Sequence, residues 1–157
     1  MPRLGRWLAL ATFVVLLDQA SKAWVLASFR LMESQSVTSF FNLVLVYNSG
    51  AAFSFLADAG GWQKWFFVAL ALGISAWLLS MLRHHAQERL LPTSLSLILG
   101  GAIGNVIDRL RFDAVVDFLD FHLAGYHWPA FNVADSSIFV GVALMLLHQF
   151  LQPKEAP

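Results

Sequence analysis

The sequence predicts a mainly α-helical membrane protein with four transmembrane helices. Its composition points that way first. The 157-residue chain is 58% apolar and only 13% charged, where a soluble domain carries charge on about a quarter of its residues. Its mean hydropathy is +0.64. Four stretches also reach, or nearly reach, the roughly 20 helical residues that cross a hydrocarbon core. A chain of this length holds one domain, residues 1–157, and its apolar surplus is better spent on lipid than on an outsized core.

The first span, 7–29, is interrupted by Asp18-Gln19 and Ser21-Lys22. The second, 62–82, is the cleanest, with Lys64 at one end and Arg83-His84-His85 at the other. The third, 92–109, is short and Gly-rich, and reaches span length only by taking in Asp108 and Arg109 at its outer edge. The fourth, 131–151, has Asp135 near its start and His148 near its end. Two Arg precede the first apolar run, as in a signal peptide. That run lacks a small-residue cleavage site and contains Asp18 and Lys22, so it reads as a retained helix.

An even number of spans puts both termini on one side. Arg3, Arg6, Arg83, Arg89 and Lys154 make that side cytoplasmic under the positive-inside rule. Arg30, Lys64 and Arg111 oppose them, so the count favours this orientation only if Lys22 and Arg109 are held in ion pairs. The outward segments are then 30–61 and 110–130. Partial alternation through Phe41-Asn42-Leu43-Val44-Leu45-Val46-Tyr47 predicts a strand, and Asn48-Ser49-Gly50 a turn. Residues 110–130 set Asp113, Asp117, Asp120, His122 and His127 among aromatics, as an interfacial segment would.

Several chemistries are poorly supported. Zero net charge gives no reason to expect nucleic acid, and the absence of Cys removes disulfides, thiolate nucleophiles and Cys-based metal sites. No His-Glu-x-x-His, Gly-x-Ser-x-Gly or phosphate loop occurs. His122 and His127 could join the aspartates on a metal, but they suit an interfacial segment equally well. A Ser–Lys arrangement using Lys22 has no evident supporting pattern.

What stands out is the polar set at the span edges. A charge near hydrocarbon costs roughly 2.5–3.5 kcal/mol unless paired or hydrated. Asp18 and Lys22, at i and i+4, share a helix face and read first as an ion pair. Gly100 and Gly104 form a small-residue strip for close helix packing. Asn105, Asp108 and Arg109 follow on one face. Asp108 beside Arg109 reads as a local pair, whereas Asn105 needs partners for its amide. Asn132 is a plausible N-cap three residues before Asp135, and Asp117 has only apolar neighbours in Val115-Val116-Asp117-Phe118. Asp117 and Asp135, on the same side of the membrane, make a carboxylate dyad possible. Two carboxylates in one site cannot both ionise cheaply, so they share a proton. One can take a proton from water while the other donates to a peptide carbonyl.

Five blocks carry a family resemblance: Asp18-Gln19-Ala20-Ser21-Lys22, Asn48-Ser49-Gly50-Ala51-Ala52-Phe53, Gly100-Gly101-Ala102-Ile103-Gly104-Asn105-Val106-Ile107-Asp108-Arg109, Val115-Val116-Asp117-Phe118 and Phe131-Asn132-Val133-Ala134-Asp135. In this order and spacing they resemble the bacterial lipoprotein signal peptidases (signal peptidase II, the aspartic type). The resemblance implies a four-helix peptidase of the bacterial cytoplasmic (inner) membrane with its site at the extracytoplasmic face. A small β-rich cradle would come from part of 30–61, and an interfacial lid-like element from 110–130. The substrate implied is a prolipoprotein, cut just before its diacylglyceryl-modified Cys. Asp117 and Asp135 match the catalytic dyad. Asn48, Asn105, Asp108, Arg109 and Asn132 match the substrate-binding or dyad-supporting positions, and Asp18 and Lys22 the first-helix motif. No metal or organic cofactor is implied. The expected partners are the lipidated substrate and membrane lipid, with no nucleic acid and the enzyme a monomer.

Two other functions fit intramembrane polar residues. A small transporter would line a path across the bilayer, but these residues gather towards one face and no inverted repeat is present. A non-catalytic scaffold would use them only to join helices.

Overall fold

The structure is a computed structural model and describes residues 2–50 and 61–151. Four helices, α1 (Pro2–Ser28), α2 (Gln63–His84), α3 (Leu90–Phe112) and α4 (Val133–Leu151), are long and apolar enough to cross a membrane. Strands β1 (Ser34–Thr38), β2 (Phe41–Asn48), β3 (Val115–Leu123) and β4 (Tyr126–His127) form an antiparallel sheet in that order.

α1 buries one stripe, Trp7, Ala11, Val14, Asp18, Lys22 and Val25, which Phe29 just past its end continues. The steps of three and four residues keep these side chains on a single helix face. Leu16, Leu17, Phe13 and Trp24 are exposed on the remainder, as lipid-facing residues would be. The stripe is apolar at both ends and charged in the middle.

α3 lies centrally and packs against each of the other helices. Its glycines make this possible. A Cβ on Gly100 would sit 2.7 Å from the Ala11 carbonyl oxygen of α1, and one on Gly101 would collide with the Ala134 carbonyl of α4. α4 reciprocates, because a Cβ on Gly141 would lie 2.6 Å from Ile98 Cγ1. Such close approach lets van der Waals packing hold helices together in lipid, where no hydrophobic effect separates helix from solvent.

α3 extends beyond the expected 92–109 at both ends. Pro92 falls in its first turn, where no intrahelical N–H is required, so the helix begins before it. The far end runs on through Asp108 and Arg109 because neither is left as a bare charge. Asp113 (φ 62°) then closes the helix in the left-handed conformation.

The expected strand at 41–47 is β2. Residues 115–123, within the segment expected at the interface, form β3 and pair along β2, with Val46 opposite Asp117 and Asn48 opposite Val115. Val115, Val116, Asp117 and Phe118 are all buried. With both faces covered, β3 lacks the in–out alternation that reveals a strand in sequence. The sheet thus draws on both outward segments. Asn48 Oδ1 accepts the Gly50 N–H at 3.1 Å, closing the expected turn. The Ala51-Ala52-Phe53 end of the second motif block lies outside the described residues, as does the rest of 51–60.

Two apolar clusters flank the polar residues. Trp7, Leu78, Leu82, Leu91 and Leu95 pack at one end of the helices. Val25, Phe29, Leu45, Val116 and Phe118 pack beneath the sheet at the other.

Candidate active site

Where the sheet meets the ends of α3 and α4, a cavity of about 690 Å³ opens. Asp117 and Asp135 both line it, with Asn48, Asn105 and Arg109. Trp128 and Phe139, exposed on the surface, continue its wall. The sequence reading missed these two, whose isolated aromatic character in an aromatic-rich chain carries no signal.

Each aspartate is held by amides. Asp117 comes from β3 and is 2% exposed. Its Oδ1 accepts from Asn132 Nδ2 at 2.7 Å, and its Oδ2 from Asn48 Nδ2 at 3.2 Å. Asp135 comes from the first turn of α4, and its Oδ1 accepts from Asn105 Nδ2 at 2.8 Å. Asn132 also caps α4 as expected. Its Oδ1 accepts the Asp135 N–H at 2.9 Å, while Asp135 Oδ2 accepts the Asn132 N–H at 3.3 Å. This is a reciprocal capping box. One fully buried asparagine therefore starts the helix that carries Asp135 and grips Asp117 from the neighbouring strand.

Electrostatics follow from this crowding. Burial pushes the Asp117 carboxyl up, and the charge of Asp135 adds to the rise. The Asn48 and Asn132 hydrogen bonds and the Lys22 charge oppose them, leaving its pKa at about 7. A carboxyl poised there exchanges its proton at neutral pH.

Behind the cavity, Asp18 and Lys22 form the expected pair at 2.8 Å, but Lys22 Nζ also lies 2.8 Å from Asp108 Oδ2. Lys22 donates a further bond to Asn105 Oδ1 at 3.2 Å. Asp108 is thus paired with α1, and the expected Asp108–Arg109 pair gives way to this arrangement. Arg109 instead donates to the Gly50 carbonyl at 3.0 Å, and its guanidinium lies over the Phe67 ring at 5.1 Å. Lys22 is engaged by its two carboxylates and Asn105, while Ser21 Oγ donates to the Asp18 carbonyl.

His127 bonds Asp120 at 2.8 Å and stacks on His122, with ring centroids 4.9 Å apart. Asn42 donates to the same carboxylate at 2.9 Å. This group is separate from the residues that line the cavity.

Four spanning helices with a buried polar site where they meet a sheet define a multi-pass membrane protein. The chain belongs to the signal peptidase II family, whose model matches residues 10–151. It is 57% identical over 151 residues to the lipoprotein signal peptidase of an Azoarcus species, covering 96% of this chain and 86% of that one. The lipoprotein signal peptidase of Ralstonia nicotianae is 54% identical over 145 residues, covering 92% and 84%. Among solved structures, a bacterial membrane enzyme determined by the in meso method at 2.3 Å superposes with a TM-score of 0.83 at 33% identity. That match covers 98% of this chain and 94% of the other.

Proposed function

We propose that this protein is an aspartic endopeptidase that removes the signal peptide of prolipoproteins just before the diacylglyceryl-modified Cys. Asp117 and Asp135 act as the catalytic dyad. What carries the reading is their shared cavity at a helix end, in a chain of the signal peptidase II family.

The ionised member of the pair takes a proton from water as the oxygen attacks the scissile carbonyl. The other gives its proton to that carbonyl, and the tetrahedral intermediate then collapses with protonation of the leaving nitrogen. The titration belongs to the pair, not to either residue. Asn48, Asn105 and Asn132 keep the carboxylates apart from apolar wall and oriented towards the cavity. Arg109, near both carboxylates, is placed to meet the substrate backbone.

A substrate with two acyl chains stays in the bilayer, with its scissile bond near headgroup level. A site at helix ends meets that bond and still receives water, which a site at the bilayer centre would lack. The enzyme sits in the cytoplasmic membrane as a monomer, with both termini cytoplasmic and the cavity on the opposite face.

A gel-shift assay in detergent tests this directly. Diacylglyceryl-modified prolipoprotein is expected to be cleaved and its unmodified precursor left intact, with activity lost in folded Asp117→Asn and Asp135→Asn variants. Cleavage by either folded variant at the wild-type rate would remove that residue from the dyad.

A further inference from the structure

Asp18, Lys22 and Asp108 are almost fully buried, at 0%, 2% and 0% exposure, yet none of them lines the cavity. Burying three charges is costly before they are paired, so the arrangement they fix is the question. Two backbone bonds answer it. Asp108 Oδ2 accepts the N–H of Val116 at 3.1 Å, and Val116 immediately precedes Asp117. Asp18 Oδ1 accepts the N–H of Ala134 at 2.9 Å, and Ala134 immediately precedes Asp135. Lys22 Nζ stands 2.8 Å from each of the two carboxylates. Gln19 Nε2 spans the same two, at 2.8 Å from Asp108 Oδ1 and 3.2 Å from Asp18 Oδ2.

We propose that Asp18, Lys22 and Asp108 form one positioning bracket. Each carboxylate holds the backbone just before one aspartate of the dyad, and Lys22 between them sets the separation of β3 from the start of α4. The inference rests on the dyad reading above. Charged acceptors suit the task because their hydrogen bonds to N–H groups are shorter and roughly twice as strong as neutral ones. The bracket draws on α1 and α3, neither of which carries a dyad member, so helix packing is transmitted to the reacting carboxylates. Gly104 leaves room for it, since a Cβ there would lie 2.6 Å from Asp18 Oδ2.

The bracket also has an electrical signature. Lys22 between two aspartates leaves one net negative charge behind the dyad. The charges that act on Asp117 directly are Asp135 from α4, Lys22 from α1 and Arg109 from α3. In Asp108→Asn an oxygen remains for the Val116 N–H while the net negative charge disappears. Asp117 should then release its proton at lower pH. In the double variant Lys22→Met/Asp108→Asn the net charge is restored, although the bridge is gone.

The test is kcat, KM and pH–rate profile on lipidated prolipoprotein for both variants, with melting temperature and Asp117→Asn in parallel. We expect kcat to fall roughly 10–100-fold, the scale of a displaced reacting group, with KM near wild type. The alkaline limb should move to lower pH in Asp108→Asn and return towards wild type in the double variant, while kcat stays low. Folded variants with wild-type kcat and an unmoved limb would overturn the bracket, as would equal limb shifts in both. Activity retained by Asp117→Asn would instead overturn the dyad reading, which separates the two failures. Should the double variant fail to fold, Gln19→Leu, which loosens the bracket without changing its charge, is expected to lower kcat with the limb unmoved. A wild-type kcat there would count against the bracket.

Discussion

In the proposed dyad, Asp117 couples the chemistry to the stability of the protein. Its carboxyl is 2% exposed and its folded pKa stands at about 7, above the ordinary 3.8. The folded state therefore holds this proton more tightly than the unfolded chain does. The resulting stabilisation is complete below about pH 4 and is lost as pH rises through about 7. At about 1.4 kcal/mol per pKa unit, the loss is on the order of 4 kcal/mol. Asp117→Asn cannot ionise, so its melting temperature in detergent should exceed that of wild type at pH 8, and the gap should narrow at pH 5. The cleavage rate of wild type should fall above about pH 7, where the pair loses its shared proton. A variant less stable than wild type at every pH would mark Asp117 as a structural residue, as the scaffold reading requires. The candidate role of Asp117 was legible because nothing cationic stands near it in sequence. The partner of Asp108 was not, because Lys22 meets it only through the packing of α1 on α3.

At the scale of elements, α3 sets how closely everything else can approach. Gly100, Gly101 and Gly104 admit α1 and α4 to distances that a methyl group would forbid. Gly104→Ala should push Asp18 away from the α4 N-terminus, costing about 1–3 kcal/mol as overpacking does and lowering activity with it. Gly73→Ala in α2 is the control, since a Cβ there would meet nothing within 4 Å. It should leave stability unchanged or raise it by roughly 0.5–1 kcal/mol, the usual gain of Ala over Gly inside a helix. Thermal unfolding of the two in one detergent checks the contrast, and equal effects would deny the glycine strip its packing role. The helices were legible from length and apolar content, and the strip from its spacing. β3 was hidden for a physical reason: a strand covered on both faces reads as a plain apolar run around Asp117. The third helix looked short because Asp108 and Arg109 resemble an end when their partners are unseen.

Over the whole molecule, orientation depends on which cations remain free, and the fold changes that count. Arg3 Nη1 donates to the Gln87 carbonyl at 3.1 Å, which brings the N-terminal turn of α1 to the α2–α3 connection. Arg3, Arg6, Arg83 and Arg89 are exposed at that end. At the other end Lys22 is locked between two aspartates, Lys64 is paired with Asp113, and Arg109 is turned inward against Gly50 and Phe67. Of the outward cations, Arg30 and Arg111 remain exposed. The positive-inside bias that was marginal in sequence is stronger once paired and inward-turned charges are set aside, which supports the proposed orientation with the α2–α3 connection in the cytoplasm. The chain has no Cys, so single cysteines can report on this without background. Thr38→Cys on the exposed strand β1 should react with a membrane-impermeant maleimide in intact spheroplasts, whereas Gln87→Cys should react only after permeabilisation. The reverse pattern would put the cavity on the cytoplasmic face, where a signal peptide already translocated could not present its scissile bond, and the proposed substrate would have to be abandoned.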